Sequence, residues 1–119
     1  MPIKISKTLV IIESPYAGQI ERNTAYARLA VRHSVLRGEA PIASHLLFTQ
    51  PDILDDSVPV ERALGISAGL AWRQVCHLAA FYIDYGWSSG MINARALYEA
   101  AGIPFEFRTI LDARDPPCP

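Results

Sequence analysis

Residues 78–110 read LAAFYIDYGWSSGMINARALYEAAGIPFEFRTI, and this stretch decides the fold. Leu78–Ile83 is a short apolar run with two aromatic residues, the pattern of a buried strand. Asp84–Gly90 (DYGWSSG) is rich in glycine and serine and breaks the run as a loop. Met91–Ala101 has helical character and is closed by Gly102. Ile103–Ile110 reads as a further strand, with Phe105 and Phe107 alternating against Glu106 and Arg108. A strand, a helix and a strand in this order form one crossover unit, and such units build parallel sheets.

The same alternation extends towards the amino terminus. Thr8–Ile12 (TLVII) is a β-branched strand, stopped by the loop Glu13–Gly18 (ESPYAG). Glu21–Leu36 reads as a helix with Ala25, Leu29, Val35 and Leu36 as its apolar positions; Asn23 or Thr24 is a candidate cap, and Gly38 ends it. Pro41–Phe48 (PIASHLLF) is a second short strand running into a loop or helical turn. Thr49–Pro59 is a surface loop able to fold over a site. Val60–Cys76 is a helix with Leu64, Ala68, Ala71 and Val75 on one side. The expectation is an α/β fold with a short, mostly parallel sheet covered by helices. Residues 1–111 form one domain in this reading, and 112–119 a flexible Pro-rich tail.

The chain has 119 residues, half of them hydrophobic, which suits a single core. Its formal net charge is −1, from 11 basic and 12 acidic residues. That balance lacks the positive footprint of a duplex-binding protein or of one attracted to an anionic membrane. Cys76 and Cys118 sit in unlike settings and make no disulfide framework. Met1–Lys7 is too short and charged for a signal peptide, and no apolar run approaches a membrane helix. The expectation is a cytoplasmic protein without cofactor. His33, His45 and His77 lack the spacing of a zinc site, so no metal is expected either.

Ligands of parallel α/β sheets sit beyond the carboxyl ends of the strands. Those ends carry Ser14–Gly18, Ser44–His45 and Ser88–Gly90. The turn Trp87-Ser88-Ser89-Gly90 opens a helix, where unpaired N–H groups suit a phosphate or carboxylate; an ordinary serine cap explains the same residues. Tyr16 either stacks on a flat base or is a core-edge aromatic at a rigid turn. His45, in an apolar segment, is either structural or a pocket wall. Asp55 and Asp56 are solvated loop acids unless the loop folds back. Trp72 and Met91 read as core packing. No G-x-G-x-x-G, P-loop, H-E-x-x-H or G-x-S-x-G motif occurs.

Taken together, SPYAG after the first strand, Asn23, APIASHLLF, LDD, ERALGI and SSGM opening a helix that ends AAGIPFEFR resemble small bacterial and phage proteins related to nucleoside 2-deoxyribosyltransferases. The resemblance spans roughly residues 8–108. It implies a flavodoxin-like three-layer sandwich with a nucleoside or nucleotide site, in a homo-oligomer that shares this site between subunits. Related enzymes cleave the N-glycosidic bond through a glutamate that forms a glycosyl-enzyme. The resemblance places Ser14, Pro15, Tyr16, Asn23, His45, Asp55, Ser88, Ser89, Gly90 and Met91 about the ligand, with Tyr16 and Asp55 nearest the chemistry. It also exposes a departure. The glutamate belongs four residues after Gly90, where this chain has Ala94. Asn93 is a poor nucleophile, and Glu99 lies about 140° further around the helix. Glu13 and Asp84 close strands and are the other acids within possible reach. Two functions follow: an N-glycosidase or deoxyribosyltransferase with a displaced acid, or a non-catalytic protein that sequesters or senses a nucleotide, as in phage–host conflict.

Overall fold

A computed structural model describes residues 7–111. The elements run β1 (Leu9–Glu13), α1 (Ile20–Leu36), β2 (Ala40–Ile42), α2 (Ser44–Leu47), α3 (Pro59–Arg73), β3 (Leu78–Tyr82), α4 (Ser89–Ala101) and β4 (Phe105–Arg108). The four strands form one sheet in the order β2-β1-β3-β4. Every pairing is parallel: Val10 lies opposite Pro41 and Leu78, and Phe81 opposite Glu13 and Phe107. The fold is a flavodoxin-like three-layer α/β sandwich. The tail expected at 112–119 lies outside the described residues.

Successive strand residues point to opposite faces, and the two halves of the core follow from that. Val10, Ile12, Ala80 and Tyr82 meet Tyr26 and Ala30 of α1 on one face. Ile11, Ala79 and Phe81 meet Met91, Ala94 and Tyr98 of α4 on the other. Phe81 lies at the centre of an aromatic group with Tyr98, Phe105, Phe107 and Trp87. On the α1 face, Arg108 of β4 is buried, donates twice to Glu39 and also bonds the Tyr82 hydroxyl. His33 completes this group through Nδ1 and the same hydroxyl, 2.8 Å apart.

Several local expectations are corrected. The run Pro41–Phe48 divides, with β2 ending at Ile42 and α2 starting at Ser44. The third helix starts at Pro59, a residue suited to a first helical turn, and stops at Arg73 rather than Cys76. Asn23 and Thr24 cap nothing; α1 begins at Ile20, so both lie inside it. The buried stripe of α1 is Asn23, Tyr26, Ala27, Ala30 and Ser34, while Ala25, Leu29, Val35 and Leu36 face outward. Alanines let this helix approach a sheet already filled by Val10 and Ile12, so its bulky residues take the outer side. The change in α3 is larger. Leu64, Ala71 and Val75 are exposed, as is Trp72, and Gly69 alone is buried.

Candidate functional site

β1 has β2 on one side and β3 on the other, so the chain departs from β1 in two directions. Helices diverge at such a switch point and leave a crevice beyond the carboxyl ends. The crevice here is a cavity of about 400 Å³, within the size range of small-molecule sites. Its wall includes Ser14 and Tyr16 after β1, Ser44 and His45 after β2, and Ser88–Met91 after β3. Three turns distant in sequence therefore share one space. α3 supplies a further wall through Gly65, Ile66, Gly69, Leu70 and Arg73.

Each wall has a local cause. Asn23 does not line the cavity; its Nδ2 donates to the carbonyls of Tyr16 (2.9 Å) and Ala17 (3.2 Å) and so fixes the loop that carries Tyr16. Pro15 also stays outside the lining. Ser14 and His45 join the β1 and β2 turns, with Oγ and Nε2 2.6 Å apart. Burial, and then the charge of Arg73, lower the His45 pKa to about 4. The ring is therefore neutral near pH 7, and a neutral imidazole can donate or accept. α3 reaches this wall because two of its residues have no side chain. A Cβ on Gly69 would stand 2.8 Å from Ser44 Oγ, and one on Gly65 3.3 Å from Leu54 Cδ1.

At the third turn Ser88 caps α4, its Oγ accepting from the Met91 N–H. The N–H groups of Ser89 and Gly90 precede the first intrahelical bond and sit in the cavity wall with the partial positive charge of a helix start. Met91 plays two parts, since it lines the cavity and is also buried core. Ala94 lines the cavity as well, so the alanine faces the space where the resemblance expects a carboxylate.

Asp55 lies apart. It faces a neighbouring, more open depression, and its Oδ1 accepts from the Ser57 hydroxyl and N–H, bonds that lower its pKa. The acid of this pair in the main cavity is Asp56, which holds Arg62 at 2.9 Å. Asp84 is not in the cavity wall either. It accepts from Tyr26 and from the N–H groups of Ile110 and Leu111, tying the end of β4 to α1. Burial raises its pKa, but these bonds outweigh burial and leave it lowered.

Glu13, unlike Asp84, does reach the cavity, alongside Asp56 and Glu61. It ends β1, is buried, and lines the wall. Arg73 meets it through two nitrogens, Nε at 3.0 Å and Nη2 at 3.2 Å, and Tyr98 donates its hydroxyl to Oε2 at 2.5 Å. Burial and the Glu13 charge both push the Tyr98 pKa upward, so it remains a donor. Burial opposes the charge on Arg73, yet the Glu13 carboxylate outweighs it and raises the pKa. Arg73 was invisible to sequence reasoning, because an arginine ending an apolar helix looks like a solvated terminal charge.

Among the described residues no group of three or more His, Cys, Asp or Glu side chains has the geometry to hold a metal ion. No described helix is long and apolar enough to cross a membrane. Residues 8–108 match the family model described as a domain of unknown function (DUF7768). No curated protein matches the chain.

Proposed function

The chain belongs to the DUF7768 family of domains of unknown function, and from that premise and its cavity we propose that it binds a nucleoside or nucleoside monophosphate. The observation that carries this reading is the meeting of Tyr16, His45 and Ser88 in one cavity at the switch point. Tyr16 offers a face for a base. Ser14 and His45 offer hydroxyl and imidazole hydrogen bonding for a sugar. The free N–H groups of Ser89 and Gly90 suit a hydroxyl or a single phosphate. Charge limits the phosphate number. Acids Glu13, Asp56 and Glu61 stand in the wall against Arg62 and Arg73, and that balance disfavours a polyphosphate.

Thermal unfolding against a panel of nucleosides, monophosphates and triphosphates tests the proposal. A ligand that binds only the native state adds about 2.7 kcal/mol at a hundred times its Kd. The expected outcome is a raised Tm with nucleosides or monophosphates and a smaller effect of triphosphates. No shift with any of them overturns it.

Two activities fit this ligand. The resemblance supports an N-glycosidase or deoxyribosyltransferase, whereas Ala94 favours a non-catalytic protein that sequesters or senses a nucleotide. Release of free base separates them. The outward apolar residues of α3 support a homo-oligomer. Burial raises the pKa of the Cys76 thiol, and such an unreactive thiol suits a reducing cytoplasm.

A further inference from the structure

We propose that Ser14 and His45 form a nucleophile–base pair that cleaves carboxylic esters in this cavity, a further activity that does not rest on the nucleoside reading.

The order of the strands arranges the groups. β1 lies between β2 and β3, so Ser14, which follows β1, has the β2 turn on one side and the β3 turn on the other. His45 stands on the first side, with Nε2 2.6 Å from Ser14 Oγ. Ser89 and Gly90 stand on the second, and all four residues line the cavity. A nucleophile thus sits between a base and the free N–H groups that open α4, which suit the oxyanion of an ester under attack.

Hydrogen bonding sets the direction of proton transfer. Among the described residues the Ser14 hydroxyl has one partner, Nε2. Ser14 is buried, and a buried hydroxyl needs an acceptor for its proton. Nε2 is therefore the acceptor, and the neutral ring carries its own proton on Nδ1. Burial, and then the Arg73 charge, keep the ring neutral near pH 7 and make it a weaker base than an ordinary imidazole. Both groups are held in place. Pro15 biases the Ser14 backbone towards extended conformations, and α2, which carries His45, seats Ser44 against the bare backbone of Gly69.

The remaining wall selects the substrate. Leu54, Ile66, Leu70 and Leu97 offer apolar surface for a small acyl chain. Glu13, Asp56 and Glu61 outnumber Arg62 and Arg73, which favours a neutral carboxylic ester over a phosphate ester at the reacting atom. Ser14 Oγ bonds to the carbonyl carbon while its proton passes to Nε2, and the carbonyl oxygen takes the negative charge. Collapse of this intermediate breaks the bond to the alkoxide, which takes the proton from Nε2 and leaves an acyl-Ser14. Water then adds to the acyl carbon and gives a proton to Nε2. Ser14 departs, recovers that proton, and the acid is released. The net change is ester plus water giving carboxylic acid and alcohol.

The test has two readouts. Incubation with an alkyl fluorophosphonate, which phosphonylates an activated serine with loss of fluoride, is expected to give a wild-type adduct that maps to Ser14. Heat-unfolded protein should give none. Hydrolysis of p-nitrophenyl butyrate is expected to be slow, because the base is weak, and to fall on the order of 10²-fold or more in His45→Gln, which keeps a hydrogen-bonding partner for Ser14. Ser14→Ala should lose both the adduct and the hydrolysis. The wild-type adduct decides the matter even if a variant fails to fold. No adduct on the folded wild type, an adduct on another residue, or undiminished hydrolysis by a folded His45→Gln overturns the assignment. A Tm raised by nucleosides alongside any of these failures leaves the binding reading in place, and an adduct on Ser14 without any such rise removes that reading alone.

Discussion

Gly90 has an ordinary φ, and a Cβ added there meets nothing nearer than Ser88 Oγ at 3.9 Å. Neither strain nor crowding within the fold requires glycine at this position, but it lines the cavity. Gly90→Ala is therefore expected to leave the ligand-free Tm unchanged or slightly raised, since alanine favours helix. The same variant is expected to lose most of the ligand-induced rise, and a full rise would show that no ligand approaches this backbone. His45 gives a second prediction, in pH. Its folded pKa, about 4, lies below the ordinary 6.5 because of burial and then Arg73. Between those values the unfolded chain binds a proton that the folded chain refuses, so stability is complete above about pH 6.5 and falls towards pH 4. His33 is shifted in the same direction, by burial and then by Arg37 and Arg108. His45→Gln keeps a hydrogen-bonding partner for Ser14 and removes only the His45 share. Tm measured from pH 4 to 7 should fall less steeply in the variant, and identical slopes would exclude His45 as a source.

α3 packs on α2 and the segment that follows it because Gly69 and Gly65 present bare backbone one turn apart, Gly69 to Ser44 and Gly65 to Phe48 and Leu54. A methyl group at 69 meets Ser44 Oγ at 2.8 Å and Ser44 Cβ at 3.2 Å, whereas one at 65 meets the movable end of Leu54 at 3.3 Å. Gly69→Ala is expected to destabilise by about 1–3 kcal/mol through overpacking despite better helix propensity. Gly65→Ala should cost less, and Ser44→Ala should recover part of the Gly69→Ala loss. Urea unfolding of the four chains checks the order, and a neutral Gly69→Ala would mean that α3 is not seated here. These glycines also mark the limit of what the sequence discloses. Strands and turns were legible, since the β-branched run at 9–12, the apolar and aromatic run at 78–82 and the breakers Pro15 and Gly18 act locally, although α4 begins at Ser89 and takes in Gly90. The convergence of Ser14, His45 and Ser88 followed from the alternation of elements, because parallel sheets put those turns on one edge. Helix faces were not legible. Helical spacing points the bulky apolar residues of α1 and α3 inward, but the close contacts there use Ala27, Ala30, Gly65 and Gly69. Arg73 was also obscure: Glu13 could be named from its place at a strand end, but the ion pair is made by two elements that meet only in the fold.

Outward stripes become meaningful for the molecule as a whole. Val60, Leu64 and Trp72 on α3, and Val75 just after it, are 69, 57, 47 and 57 % exposed, large apolar side chains of the kind that association covers. A standard interface covers about 800 Å² per partner, roughly a tenth of the 7808 Å² exposed here. A helix spanning Pro59–Arg73 meets that need most simply by packing on its symmetry mate in a second copy. Ile66 and Leu70 of the same helix line the cavity, so association braces the wall that carries Arg73. Light scattering is expected to give at least twice the 13.1 kDa chain mass. Val60→Glu with Leu64→Glu should halve that mass, because like charges meet across a two-fold axis, while each subunit stays folded since neither position is buried. Ligand binding should weaken together with association, because the α3 wall then relies on α2 alone. A wild-type chain that runs as a monomer, or a charged variant that keeps its mass, would remove the α3 contact and leave the cavity of each subunit to act by itself.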